Sequence, residues 1–158
     1  MITVTPATEL DADDLLSWRN DPAARAASGA TEPVSPAQHA AWLRGVLSDD
    51  RRFLYVACDT ESVEASAKVG MCRFDIGTDE RAEVSINLNP ECRGKGFARP
   101  VLRAGIVAFR SQVGNRIGLT ATIRPSNVAS AKVFGAVGFE LASSDDEFDH
   151  YVLFEPVA

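Results

Sequence analysis

Histidine is nearly missing from this chain, and so is a usable set of cysteines. Only His39 and His150 occur, beside Cys58, Cys72 and Cys92, which are odd in number and not spaced as metal ligands. These shortages argue against a zinc site and read as reduced thiols in a cytoplasmic protein. Long apolar runs are missing too. No stretch approaches the roughly 20 residues of a membrane helix, and the opening MITVTPATEL has neither the basic region nor the apolar run of a signal peptide. No membrane partner is therefore expected, and no repeat, linker or low-complexity tract is seen. One absence is local: from Arg93 to Val137 there is no Asp or Glu, while Arg93, Lys95, Arg99, Arg103, Arg110, Arg116, Arg124 and Lys132 all fall there. The net charge of the whole chain is -6, which argues against nonspecific nucleic-acid binding. One basic segment in an acidic protein reads either as a site for an anionic ligand or as solvated arginines on two helices.

What is present suits one globular domain spanning residues 1–158. The chain has 158 residues, 46% hydrophobic and 24% charged, and domains most often run roughly 100–150 residues. Ile2–Thr5 alternates as a short strand. Asp11 opens a helix that Asp21-Pro22 ends. A second helix starts at Ser35 as cap, with Pro36 in first position and Gln38 completing a capping box, and runs to about Leu47. Three strand-like runs follow, Phe53–Cys58, Ala67–Ile76 and Arg81–Leu88. In the last, Val84, Ile86 and Leu88 share one face and Glu83, Ser85 and Asn87 the other. A third helix follows the turn Arg93–Gly96. Pro100 lies inside it and predicts a kink or an irregular first turn. Ile117–Ile123 is a strand, Ser126 or Asn127 caps a fourth helix ending near Gly138, and Phe139–Ser143 pairs with His150–Glu155 as a hairpin. The order β-α-α-β-β-β-α-β-α-β-β predicts an α/β domain: a mixed, mostly antiparallel sheet of about seven strands flanked by about four helices.

The segment Glu83–Ala98 is a strand, a short loop and then glycines entering a helix. A helix N-terminus leaves N–H groups unpaired and carries partial positive charge, and glycines let phosphate oxygens approach the backbone. That suits a pyrophosphate. An NTPase-type phosphate loop needs Ser or Thr after Gly-Lys, and here Gly96 follows Lys95. A dinucleotide fingerprint needs a third glycine and a later acid, and both are missing. A plain glycine-rich turn remains open on these residues alone.

Arg93-x-x-Gly96-x-Ala98 resembles the pyrophosphate signature of the GNAT superfamily of N-acetyltransferases, Gln or Arg-x-x-Gly-x-Gly or Ala. Asn127-x-x-Ser130-x-x-Val133-Phe134-x-x-x-Gly138-Phe139 resembles the second conserved block of that family, and the element order matches over nearly the whole chain. The resemblance implies an acetyl-CoA-dependent transfer to a primary amine by direct attack in a ternary complex, with no metal. It implies that Arg81–Leu88 splays from the parallel strand Ile117–Ile123, that Ile86 and Leu88 contact the pantetheine arm, and that Arg93, Gly94, Lys95, Gly96, Phe97 and Ala98 hold the pyrophosphate. Asn127 would meet the pantetheine side and Lys132 a CoA phosphate. Glu83 matches a strand glutamate that serves as base in some relatives. The tyrosine that many members use as general acid is Phe134 here, which leaves Ser130 as the candidate acid.

Leu16-Ser17-Trp18-Arg19-Asn20-Asp21-Pro22, with Arg25, Ser35 and His39-x-x-Trp42, is similar to two branches of the family, acting on amino sugars and on N-termini of ribosomal proteins. Trp18, Asn20 and His39 are substrate-side candidates by that resemblance, whereas the helical spacing of Trp42 favours core. The expected acceptor is an amino sugar or sugar nucleotide, with a protein N-terminal amine as the alternative and a non-catalytic acyl-CoA-binding module as a third reading. Homodimers are common in such relatives.

Overall fold

In a computed structural model that describes residues 1–62 and 67–154, the chain forms β1 (Ile2–Pro6), α1 (Ala12–Asn20), α2 (Pro22–Ala27), α3 (Pro36–Ser48), β2 (Arg52–Asp59), β3 (Ala67–Ile76) and β4 (Arg81–Leu88). There follow α4 (Ala98–Val113), β5 (Gly118–Ile123), α5 (Val128–Val137), β6 (Glu140–Ser144) and β7 (Asp149–Leu153). The strands form one sheet in the order β1-β2-β3-β4-β5-β7-β6, parallel only between β4 and β5. This is the mixed α/β architecture that the sequence predicts, with five α-helices instead of about four. Glu155, expected in the last strand, lies outside the described residues.

The extra helix has a local cause. Asp21-Pro22 ends α1, as predicted, but it also starts α2. The Asp21 carboxylate accepts from the N–H groups of Ala23 and Ala24, both at 3.1 Å, and Pro22 takes the first helical position, where its missing N–H costs nothing. The Ser35 cap forms as read: its hydroxyl accepts from Gln38 N–H at 3.2 Å, and the Gln38 side chain accepts from Ser35 N–H at 3.0 Å. The predicted disturbance at Pro100 is absent. Helix α4 starts at Ala98, so Pro100 sits in the first turn, where no helical hydrogen bond is lost.

The sheet separates two apolar clusters. On one face α4 and α5 cover Tyr55, Phe74, Ala82, Val84 and Leu119, and the Phe74 and Phe109 rings stack 4.4 Å apart. A Cβ on Gly105 would lie 2.6 Å from Cys72 Sγ, so the glycine is what lets α4 lie close on β3. On the other face α1 and α3 cover Leu54, Val56 and Met71 with Leu15, Trp18, Leu43 and Val46. A bulge links the two patterns. Ala57 pairs with Gly70 but Cys58 with Lys68, which leaves Val69 as an extra residue. The inserted residue turns Val69 into the α4 cluster and sends Lys68 across to Asp11 and Asp14, at 2.7 and 3.0 Å.

Candidate active site

Strand β4 pairs with β3 from Ala82 to Leu88, but with β5 only from Arg81 to Glu83. Beyond Glu83 the two parallel strands part. Backbone groups of Val84–Leu88 on that edge have no strand partner, so a ligand that can hydrogen-bond along an edge fits there. A cleft of about 460 Å³ opens at the divergence. Its walls come from β4 (Glu83 to Asn87), β5 (Thr122, Ile123), α5 (Asn127, Ser130, Phe134), the α2 end and following loop (Ser28, Gly29), and Phe148.

The cleft thus brings together five residues singled out in the sequence, Glu83, Ile86, Asn127, Ser130 and Phe134. Glu83 is exposed. The backbone N–H of Ser130 donates to Asn127 Oδ1 at 3.2 Å, and among the described residues the Ser130 hydroxyl has no protein partner. The Asn127 side chain caps α5, with its oxygen committed to that role, and the residue lines the cleft. Phe134 is buried and packs edge-on against Phe139, with ring centroids 5.0 Å apart. The tyrosine position of the family is thus a core aromatic here.

The β4–α4 loop lies apart from this lining. Val101 N–H makes the first helical bond of α4, to Phe97 C=O at 3.0 Å. Among the described residues, the N–H groups of residues 94–99 donate to no protein acceptor. Gly94 and Gly96 have φ of 73° and 81°, a left-handed conformation that side-chain-bearing residues resist. This row of unpaired donors at a helix start, flanked by exposed Lys95 and Arg99, fits a pyrophosphate. Arg93 is engaged elsewhere. Its Nη1 lies 2.7 Å from Asp21 Oδ2, and this bond, first among the causes, holds the Asp21 carboxyl below its ordinary pKa. The loop is thereby tied to the α1–α2 junction. Arg103, Arg110 and Arg124 donate to the carbonyls of Ala136, Ile117 and Ser28. The basic segment is thus partly structural and partly free at the α4 start. Lys132 is exposed on α5, outside the cleft lining, and Leu88 is half-buried at the strand end.

The three substrate-side candidates are not in the cleft lining. Trp18 is a buried member of the α1–α3 cluster. His39 is buried too, and burial, then the charge of Arg19, pushes its pKa below the ordinary value. Both ends of the Asn20 side chain are taken by Val34: Nδ2 donates to its carbonyl and Oδ1 accepts its N–H, each at 2.8 Å. Asn20 latches the 28–35 loop. Trp42 is half-buried against the same cluster, with the Arg52 and Arg73 guanidiniums over its ring at 5.9 and 5.4 Å.

Arg19, Arg73, Thr122 and Phe148 line the cleft without having been singled out for it. Arg73 had a signal, since it lies two residues from Asp75 and pairs with Ser85 in the β3–β4 register. Phe148 had none, sitting in an acidic hairpin turn. The Arg124 guanidinium lies 4.6 Å over its ring while donating to Ser28 C=O, which joins three distant segments at the cleft mouth.

Among the described residues no helix is long and apolar enough to cross a membrane, and no cluster of three His, Cys, Asp or Glu side chains is placed to hold a metal. No curated protein sequence matches the chain. Among the solved structures that share the fold are three that each cover 96% of this chain. A domain from Methanocaldococcus jannaschii is 21% identical over 97% of its own length, with a TM-score of 0.81. The spermidine N-acetyltransferase of Vibrio cholerae, in complex with CoA and spermine, is 16% identical over 92%, with a TM-score of 0.80. Aminoglycoside acetyltransferase AAC(6')-Ib with coenzyme A is 19% identical over 93%, with a TM-score of 0.76. Identities this low speak for the fold alone. The family model for the acetyltransferase (GNAT) domain matches residues 2–140, and the chain belongs to that family, an N-acetyltransferase that draws its acetyl group from acetyl-CoA.

Proposed function

We propose that this chain acetylates the primary amine of a small molecule, with Glu83 as base and Ser130 as hydrogen-bond donor to the departing sulfur. The supporting observation is that Glu83 and Ser130 line one cleft where β4 parts from β5. Acetyl-CoA supplies an activated acyl group. Gly94, Lys95, Gly96, Phe97 and Ala98 hold its pyrophosphate, while Ile86, Leu88 and Asn127 meet the pantetheine arm. An alkyl ammonium with a pKa near 10.4 must lose a proton before it can attack. Glu83 accepts that proton, directly or through water. The nitrogen–carbon bond forms, the carbon–sulfur bond breaks, and the thiolate leaves against the Ser130 hydroxyl. Both spermidine and aminoglycoside acetyltransferases act on small-molecule amines within this fold, which favours a small acceptor over a protein N-terminus; an amino sugar is the acceptor that the first-helix motif suggests.

Calorimetric titration with acetyl-CoA, followed by thiol release over a panel of amino sugars, polyamines, amino acids and N-terminal peptides, tests this reading. Turnover restricted to peptides would replace the small acceptor. Binding without any turnover would make the chain an acyl-CoA-binding module. Glu83→Gln is expected to lower turnover ~100-fold near neutral pH, the usual scale of a lost general base, with acetyl-CoA affinity kept. An unchanged pH–rate profile would remove Glu83 from the chemistry.

A further inference from the structure

Resting on the acetyl-transfer reading above, we infer that the acceptor is a compact amine that carries its own oxyanion, a carboxylate or a phosphoryl group, held by Arg19 and Arg73. The charge of the cleft lining motivates this. The whole chain is acidic at -6, yet the lining holds two guanidiniums, Arg19 and Arg73, and a single carboxylate, Glu83. With Glu83 facing the ammonium, the positive charge remains for something else.

Neither arginine has a carboxylate to itself among the described residues. Arg19 has no carboxylate within ion-pair distance among the described residues. Its Nη2 donates to Ala30 C=O at 2.9 Å, while Nη1 is buried and has no hydrogen-bond partner among the described residues. A buried, unsatisfied donor on a permanent cation is costly and rare in a folded protein, and at a cleft wall it points to an acceptor atom from outside. Arg73 shares its counter-ion. Its Nε donates to one oxygen of Asp75 at 2.9 Å, and the other oxygen takes Arg52 Nε, also at 2.9 Å. One carboxylate between two guanidiniums leaves one positive charge over. Guanidinium forks suit planar carboxylates and phosphoryl groups through paired hydrogen bonds.

Size narrows the class. The cleft of about 460 Å³ lies in the lower half of the usual ligand range of roughly 300–1,000 Å³, and the acyl-bearing arm must share it. A long polycation meets the wrong charge here, and a compact acceptor suits the space that the arm leaves. An amino acid, an amino phosphonate or a phosphorylated amino sugar meets both demands.

Matched pairs on the wild-type protein test this without any variant. L-Methionine is compared with L-methioninamide, and glucosamine 6-phosphate with glucosamine, with spermidine as a fifth substrate and thiol release as the readout. The member that carries the oxyanion is expected, in at least one pair, to show a kcat/KM ~10-fold or more above the partner that lacks it, and which pair responds tells carboxylate from phosphoryl. In Arg73→Gln that preference is expected to shrink through KM, with acetyl-CoA affinity unchanged. Arg19→Gln is expected to do the same, after a check of folding because it also loses the Ala30 bond. Equal turnover within both pairs, or spermidine as the best substrate, overturns the oxyanion inference and leaves acetyl transfer standing. No turnover on any amine, with acetyl-CoA still bound, overturns the acetyl-transfer reading and the inference with it.

Discussion

The two faces of the sheet are held by different means. On the α4–α5 face, eighteen buried residues form one cluster, with stacked phenylalanines and a helix pressed against β3 at Gly105. On the α1–α3 face the buried cluster has eight residues. There the chain between α1 and α3 is fixed by side chains reaching backbone: Asn20 to Val34, Arg19 to Ala30, Arg25 to Asn20 and Thr31, and Arg124 to Ser28. Apolar packing is non-directional and extensive, so it sets the frame that carries the β4–α4 loop. Polar latches are directional and few, so they can shape an acceptor wall without enlarging the core. The α1–α3 face is therefore the part of the molecule where a single hydrogen bond matters most.

Breaking the large cluster should have the largest effect. Phe109→Ala removes a stacked ring with no solvent exposure and is expected to cost about 3–5 kcal/mol, read as a lower urea midpoint. Next, Gly96→Glu puts a side chain on a residue with φ of 81° and a carboxylate among the unpaired N–H groups. It is expected to weaken acetyl-CoA binding ~100-fold or more by calorimetry, equivalent to about 2.7 kcal/mol. Asn20→Ala tests the other face. It is expected to cost about 1–2 kcal/mol and to raise the acceptor KM with little change in acetyl-CoA affinity. A rise in both constants would mean that the two faces are not separate. The smallest effect is the pH dependence of the Asp21–Arg93 tie. The folded pKa of Asp21 is depressed, first by the hydrogen bond from Arg93. Its contribution to stability is present above the unfolded carboxylate pKa, near 3.9, and is lost as pH falls through the lower folded value. Asp21→Asn should flatten that acid limb of the stability profile, and an unchanged limb would show that the tie contributes nothing.

The same division explains what could be read from the sequence. The frame was legible because period-2 strands, the Ser35–Gln38 box and Gly96 each carry a local signal. Helix α2 escaped because Asp21-Pro22 is a stop and a start in the same two residues. Pro100 misled because the exact first residue of a helix is set by the loop before it. Trp18, Asn20 and His39 are expected on the substrate side from their residue types, but type does not reveal which way a side chain turns. Asn20 turns to Val34, Trp18 and His39 turn inward, and Arg19, between Trp18 and Asn20 in sequence, is the one that reaches the cleft. Arg124 and Phe148 meet across the fold, and no spacing along the chain announces a pairing of that kind.

The short β4–β5 register has a mechanical consequence. Among the described residues, three residue pairs, Arg81–Glu83 against Gly118–Thr120, make the backbone seam between a four-stranded plate and a three-stranded plate, which the α4–α5 cluster also spans. Stiffness across the sheet is lowest at that seam, and β4 and β5 diverge from it like the faces of a wedge. A molecule that lies in the wedge and hydrogen-bonds to the free edge acts as mortar between the plates. A ligand bound there stabilises the folded chain by mass action, and the melting temperature rises as the cleft fills.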